Sequence, residues 1–218
     1  MKNVPIEKVY AILQKETATY TVPVVDLVAI QTHDPAKVLI ATILSARTKD
    51  ETTVQACKRL FVPVKKVADL RKLTRKQLEK LIYPVGFYKT KAKHLKQLPQ
   101  VLDAKFKGVI PSTVEELIEL PGVGRKTANL VVALGFNKPG MCVDIHVHRI
   151  SNRLGYIKTN TPLQSEMALR KKLPLKLWEL YNSTLVAFGQ FLCRPISPWC
   201  SRCPVSKYCN KVGVERSR

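Results

Sequence analysis

Apolar residues recur along this chain at intervals of three and four, the spacing that places them on one face of a helix. The first such run is Ile6, Val9, Tyr10 and Leu13. Polar residues that commonly cap helices precede later runs, at Asp34, Asp50, Thr74, Thr113 and Thr161. Alternation typical of strands is nearly absent, and its best example, residues 19–30, contains a proline. The pattern predicts an all-α protein of roughly ten to twelve short helices.

The charge of the chain adds a partner to this picture. Its 37 Lys and Arg against 16 Asp and Glu give a formal net charge of +21. Between Lys58 and Lys107 there are fifteen basic residues and three acidic ones. Such a run is either a solvated face or a phosphate-binding face. The excess predicts a polyanionic partner, with nucleic acid favoured over an anionic membrane surface.

No targeting or membrane segment is expected. The N-terminal MKNVPIEKVYAILQKE mixes charged residues into an amphipathic pattern and has neither the apolar core nor the cleavage site of a signal peptide. No window holds eighteen uninterrupted apolar residues, so a membrane span is excluded. We therefore expect a cytoplasmic protein whose six cysteines do not form disulfides.

The segment LPGVGRKTANLVVALGF, residues 120–136, predicts two helices joined by a glycine turn. Gly122, Val123 and Gly124 form the turn, and its glycines let a bulky polymer approach the backbone amides. Amides at a helix start favour an anion such as a DNA phosphate, although an ordinary corner between helices is the alternative. Arg125 adds positive charge. Lys126 in the first turn is either a further phosphate contact or a nucleophile, a role that requires a neutral amine.

Asp144 precedes another helical run, where an aspartate commonly serves as the N-cap. The histidines that follow, His146 and His148, suggest metal ligands, but residues two apart do not share a helix face. Arg149 and Arg153 on the same run suit either phosphates or internal ion pairs. The residues alone leave these roles open.

Four of the six cysteines, Cys193, Cys200, Cys203 and Cys209, are spaced C-x6-C-x2-C-x5-C. Four thiolates can hold zinc or an iron–sulfur cluster, or form disulfides. Zinc ribbons more often use two matched C-x2-C pairs, so the spacing mildly favours iron and sulfur. Cys57 and Cys142 lie outside the pattern and are not expected to be ligands.

These motifs together carry a family resemblance. LPGVGRKTA resembles the helix-hairpin-helix of the endonuclease III family of base-excision DNA glycosylases, and VDIHVHRISNRLG, residues 143–155, resembles the segment that follows it. ILSARTKDE (43–51), GFYKTKAKHL (86–95) and the C-terminal cysteines occur in the family order, so the likeness runs over nearly the whole chain.

The resemblance implies a bifunctional DNA glycosylase and AP lyase that removes oxidised pyrimidines from duplex DNA. Lys126 would attack C1′ of the damaged nucleotide, expel the base and leave a Schiff base whose β-elimination nicks the strand on the 3′ side. Asp144 would be the catalytic carboxylate, assisting lysine deprotonation or balancing positive charge on the sugar. The four spaced cysteines would hold a [4Fe–4S] cluster.

A damaged nucleotide must leave the base stack, and side chains must fill the hole. The family commonly has glutamine where this chain has Arg47 and leucine where it has Phe87. Arg47 can hydrogen-bond the orphaned base and Phe87 can act as an apolar wedge. The alternatives are a surface cation and a core residue. The residues of the turn, His146 and Arg194 are the other expected DNA contacts.

The expected architecture has two helical domains with a DNA-binding cleft between them. One is a six-helix domain, residues 27–138, that contains the hairpin; the other combines residues 1–26 and 139–218 and holds the cluster. We expect a monomer associated with the nucleoid of a prokaryote. Two other functions were weighed: a glycosylase for uracil or thymine opposite guanine, and a noncatalytic DNA-binding or redox-sensing protein. The presence of both Lys126 and Asp144 argues against them.

Overall fold

The computed structural model describes residues 3–20 and 34–218, and these residues are helical without any strand. The all-α prediction is confirmed. The predicted domain boundary near residue 27 and most of the strand candidate at 19–30 lie outside the described residues. The α-helices are α1 Ile6–Thr17, α2 Pro35–Ser45, α3 Asp50–Leu60, α4 Arg75–Ile82, α5 Tyr88–Phe106, α6 Val114–Leu117, α7 Arg125–Leu130, α8 Ile145–Leu154, α9 Pro162–Lys172 and α10 Trp178–Phe191.

Shorter turns of other helix types connect or extend these elements. A π-helical segment, Val131–Gly135, continues α7 directly. The 3-10 helices are Val67–Lys72, Leu175–Leu177 and Ser206–Tyr208.

The helix starts follow the capping residues in all but one case. The side chains of Asp34, Thr74, Thr113 and Thr161 each accept a hydrogen bond from a backbone amide of the first turn. Such caps satisfy amides that have no partner within the helix. The prediction for Asp50 is wrong: it is the first residue of α3, and Lys49 stands at the N-cap without a side-chain hydrogen bond.

The described residues divide into two compact units. We call residues 34–138 the hairpin unit and residues 3–20 with 139–218 the cysteine unit. In the hairpin unit every residue of α2 from Val38 to Leu44 is buried. A helix that is buried on all sides belongs at the centre of a core. Pro35 lies so close to Gly135 that a Cβ on the glycine would come within 3.2 Å of the proline Cα, so α2 packs tightly on the π-helical segment.

The cysteine unit has its own apolar core, to which both ends of the chain contribute. α1 packs on α10 through Tyr10 and Tyr181, whose ring centroids are 5.8 Å apart. Both rings are buried, and burial raises the pKa of Tyr181. α8 and α9 complete this core through buried residues such as Ile150 and Leu169. Its last helix, α10, is followed by the loop that contains the four spaced cysteines.

Within residues 3–20 and 34–218, none of the helices combines the length and the apolar character needed to cross a bilayer.

Candidate functional site

The glycine turn between α6 and α7 depends on its two glycines for different reasons. Gly122 has a φ of +80°, and a Cβ there would lie 2.7 Å from Nδ1 of His94, so a larger residue would be strained and would clash with α5. Gly124 is the N-cap of α7 and has nothing within 4 Å of its would-be Cβ. Val123 between them is buried and anchors the turn to the core, so its accessible part is the backbone.

Lys126 is exposed in the first turn of α7, which begins one residue earlier than the sequence suggests. The turn is fixed from below, because the buried Asn129 donates a hydrogen bond from Nδ2 to the carbonyl of Arg125 at 3.0 Å. The helix then widens into its π-helical segment, a feature often found at functional sites. The lysine thus stands on a rigid support with its side chain accessible to a large substrate.

Asp144 is the N-cap of α8, as its position in the sequence suggests. Its Oδ1 accepts hydrogen bonds from the amides of His146 at 2.8 Å and Val147 at 2.9 Å. Val147 is fully buried, so the first turn of α8 is fixed to the core of the cysteine unit. The carboxylate is therefore held in one position by two backbone amides.

The two histidines after Asp144 have separate surroundings. Nδ1 of His146 lies 3.1 Å from Nη2 of Arg149, and a Cβ on Gly189 would come within 2.4 Å of that ring nitrogen. Nδ1 of His148 lies 2.7 Å from Oγ of Ser165. In the part of the chain that the structure describes, no group of three or more His, Cys, Asp or Glu side chains is arranged to hold a metal ion. The histidines thus have local hydrogen-bonding roles.

The spaced cysteines Cys193, Cys200, Cys203 and Cys209 are all reduced and line one cavity of the cysteine unit. Apolar residues close its walls, among them Ile150, Leu154, Phe188 and Leu192. Burial raises the pKa of Cys203 to about 11, and the neighbouring thiols raise it further. Burial also raises the pKa of Cys209. A group of thiols in such a pocket needs a positive centre to hold it as thiolates.

Two arginines of α8 bind the segment at the first of these cysteines. Nη1 of Arg153 donates to the carbonyl of Arg194 at 2.6 Å and Nη2 to that of Pro195 at 2.5 Å. Arg149 donates to the carbonyl of Cys193 at 2.9 Å, and burial lowers its pKa. Sequence reasoning missed this role. The signal was their spacing of four residues, which puts both on one face of α8.

Arg47 and Phe87 lie side by side in the hairpin unit. Cζ of Arg47 is 5.6 Å from the centroid of the Phe87 ring, within the range of a cation–π interaction. Phe87 is 63% exposed and therefore not a core residue. Arg194, the remaining predicted arginine contact, is also exposed, in the cysteine unit.

Comparison with known proteins identifies the family. Residues 40–175 match the family described as HhH-GPD superfamily base excision DNA repair protein. Endonuclease III of Thermotoga maritima is 47% identical over 176 residues, which cover 81% of this chain and 83% of that protein. The chain belongs to the endonuclease III family. It is a base-excision repair enzyme with DNA glycosylase and AP lyase activity, which confirms the enzyme class predicted from the sequence.

Solved structures agree with this membership. A trapped covalent endonuclease III–DNA intermediate superposes with a TM-score of 0.75 at 36% identity, covering 82% of this chain and 84% of that one. A thermostable thymine-DNA glycosylase superposes with a TM-score of 0.79 at 27% identity over 93% and 94% of the two chains. Plant and vertebrate endonuclease III homologues are longer, and the matched region covers 47% to 60% of them.

Proposed function

We propose that Lys126 is the nucleophile of a glycosylase and AP lyase that removes oxidised pyrimidines from duplex DNA. The neutral Nζ attacks C1′, the glycosidic bond breaks with its electrons, and the base leaves. The resulting Schiff base loses a C2′ proton, and the C3′–O bond breaks to release the 3′ strand. The supporting observation is the exposed lysine directly after the glycine turn of a family member, since a covalent DNA intermediate has been trapped for an endonuclease III.

We propose that Asp144 supplies the catalytic carboxylate. Two backbone amides hold its Oδ1, so the charge is fixed in place before substrate binds. A preorganised negative charge stabilises the cationic Schiff base and the positive charge that develops on the sugar as the base departs. It can also accept the proton that the lysine amine must lose before attack.

DNA is bound through backbone amides and cations. The proposed contacts are the glycine turn from Gly122 to Gly124 with Arg125, together with His146 and Arg194. Arg47 and Phe87 are proposed to fill the space that the extruded nucleotide leaves, since both are exposed and already adjacent. Removal of uracil or thymine opposite guanine is not favoured, because the most similar sequences carry the name endonuclease III.

We propose that Cys193, Cys200, Cys203 and Cys209 hold a [4Fe–4S] cluster with a structural role. Their chemistry fits: four reduced thiols share one apolar cavity, and donors already point at the sulfurs. The amide of Lys211 lies 3.3 Å from Sγ of Cys209, and Nη1 of Arg153 lies 3.6 Å from Sγ of Cys193. Hydrogen bonds to the ligand sulfurs are a normal part of the surroundings of such clusters.

The proposed domains are the hairpin unit, extended to residue 27, and the cysteine unit, extended through residue 26. The enzyme is proposed to act as a monomer on the nucleoid, in the cytoplasm of a prokaryote, in keeping with its similarity to a bacterial enzyme.

Borohydride trapping tests the proposed nucleophile. The wild-type protein is mixed with a duplex that carries one abasic site, borohydride is added, and a covalent protein–DNA adduct is sought on a denaturing gel. Lys126→Gln should give no adduct, because an amide cannot form the Schiff base. Lys93→Gln, which removes an exposed lysine of α5, should give the wild-type yield. An undiminished adduct in Lys126→Gln, or none in wild type, would refute the mechanism.

A further inference from the structure

Arg47 and Phe87 share an unusual backbone conformation. Their φ angles are 54° and 56°, in the left-handed region that residues other than glycine rarely adopt. Arg47 lies in the loop between α2 and α3, and Phe87 is the N-cap of α5. Residues stay in this region only where the surrounding structure holds them there, and such positions cluster at functional sites. Something in the hairpin unit must therefore fix both loops.

Lys91 supplies the contacts that fix the first loop. It lies in α5, is 6% exposed, and directs Nζ at the end of α2. The ammonium donates to the carbonyl of Leu44 at 2.8 Å, to the carbonyl of Ala46 at 2.6 Å and to Oγ1 of Thr48 at 3.1 Å. Two of these acceptors precede Arg47 and one follows it, so all three donors of one lysine hold the backbone on both sides of the arginine.

Thr48 carries the connection on to the second loop. Its Oγ1 accepts a hydrogen bond from the amide of Gly86 at 3.2 Å, directly before Phe87. The loops also touch, because a Cβ on Gly86 would lie 2.4 Å from the carbonyl oxygen of Arg47. A continuous chain of hydrogen bonds thus runs from the end of α2 through Lys91 and Thr48 to the start of α5.

The position of Lys91 would suit an apolar residue for packing alone. It continues the buried stripe of α5 formed by Leu95, Leu98 and Leu102. A charged group there loses hydration, and burial lowers its pKa to about 8. The compensation is the full set of three hydrogen bonds, which a leucine could not make.

We propose that Lys91 is a positioning residue that holds Arg47 and Phe87 ready to enter the duplex as the damaged nucleotide leaves the stack. It acts through these two residues and does not itself contact the reacting atoms. The inference rests on the proposed function, in which Arg47 and Phe87 occupy the vacated space. Two side chains that are already placed lose less freedom on entering the helix, which lowers the barrier to extrusion.

The test compares Lys91→Met with Lys96→Met in the full-length protein. Lys96 is the matched control, since it lies in the same helix and its Nζ donates to the carbonyls of Arg71 and Leu73 at 2.8 and 2.7 Å, away from the wedge pair. Both variants lose one charge and one set of carbonyl contacts. Single-turnover removal of dihydrothymine from a duplex is measured with enzyme in excess, alongside the fluorescence of a neighbouring 2-aminopurine that reports loss of stacking.

Lys91→Met should slow base removal and the fluorescence rise by between about 10- and 100-fold, the usual cost of a misplaced positioning group. Lys96→Met should stay within about twofold of wild type. Borohydride trapping on a single-stranded oligonucleotide with one abasic site should be equal in all three proteins, because no base pair has to open. Equal rates for the two methionine variants on the duplex would overturn the proposal for Lys91. Failure of the wild type to trap the single strand would instead overturn the role of Lys126.

Thr48 provides a second pair of variants should Lys91→Met fail to fold. Thr48→Val removes the link to Gly86 but leaves the carbonyl bonds of Lys91, and should slow duplex base removal without affecting single-stranded trapping. Thr48→Ser keeps the hydroxyl and should restore the rate. A valine variant as fast as the serine variant would contradict the proposed connection between the loops.

Discussion

Asp144 combines a structural and a proposed chemical role in one side chain, and its amide and alanine variants separate them. Asn caps a helix as well as Asp, so Asp144→Asn should keep the hydrogen bonds to His146 and Val147 and leave the free energy of unfolding nearly unchanged. It lacks the negative charge, so the single-turnover rate on an oxidised pyrimidine should fall by about 10²- to 10⁴-fold. Urea titration and a gel-based cleavage assay measure the two quantities.

Asp144→Ala is the companion variant. It removes the charge and the cap together, so it should be as slow as Asp144→Asn and also lose about 1 kcal/mol of stability. If Asp144→Asn cleaved at the wild-type rate, the carboxylate would be a cap only, and the catalytic charge would have to come from another residue.

Residue roles were predictable where a motif carried them and unpredictable where a fold contact did. The position of Asp144 before a helical run was enough to predict its cap. The role of Lys91 depends on the carbonyl groups of Leu44 and Ala46, more than forty residues away, and a lysine-rich sequence does not distinguish it from Lys93. Its place on the apolar face of α5 was the only available signal, since a charge on such a face needs partners.

At the scale of the element, the 3-10 helix Val67–Lys72 is held by one carboxylate. Oδ2 of Asp69 accepts from the amides of Lys65 and Lys66, both at 3.0 Å, and Oδ1 accepts from Nζ of Lys72 at 2.9 Å. The Lys72 hydrogen bond and then the Lys66 amide lower the pKa of Asp69 to about 2. The usual value in an unfolded chain is about 3.9.

Because the folded pKa of Asp69 is the lower one, its stabilising effect is complete above about pH 4 and is lost as the pH falls through about 2. Wild type should therefore be more stable than Asp69→Asn at pH 7, and the difference should shrink between pH 4 and pH 2. Far-UV circular dichroism during urea unfolding measures it, with Asp103→Asn as the control for a carboxylate in an exposed pair. A difference that stayed constant down to pH 2 would contradict the pKa shift.

The elements as a whole were predictable because their signals are local. A cap and an apolar period lie within a few residues of the helix they define, as at Thr74 and Thr161. The exception, Asp50, shows the limit of this reasoning: a good capping residue also suits the first turn of a helix, where a negative charge favours the dipole. The widening of α7 into a π-helical segment had no local signal, because it depends on how α2 packs against it.

At the scale of the whole molecule, charge and cysteines are unevenly distributed between the units. The basic run from Lys58 to Lys107 lies within α3, α4 and α5 of the hairpin unit, whereas the four spaced cysteines lie in the cysteine unit. The composition therefore predicted a polyanionic partner without indicating where chemistry occurs. The family motifs supplied that, because the glycine turn and Asp144 each mark a helix start that the structure reproduces.

The proposed cluster should decide the stability of the cysteine unit. Purified wild type should contain about four iron and four sulfide per chain and absorb visible light, as thiolate-bound clusters do. Cys203→Ser should lose the colour and unfold more easily, since the free energy of binding a structural metal centre contributes to folding. Trp178 and Trp199, the two tryptophans of the chain, both lie in the cysteine unit, so their fluorescence follows its unfolding. Cys142→Ala is the control and should retain iron, because Cys142 lies outside the cavity. A colourless wild type with one zinc per chain would disprove the cluster, as would full iron content in Cys203→Ser.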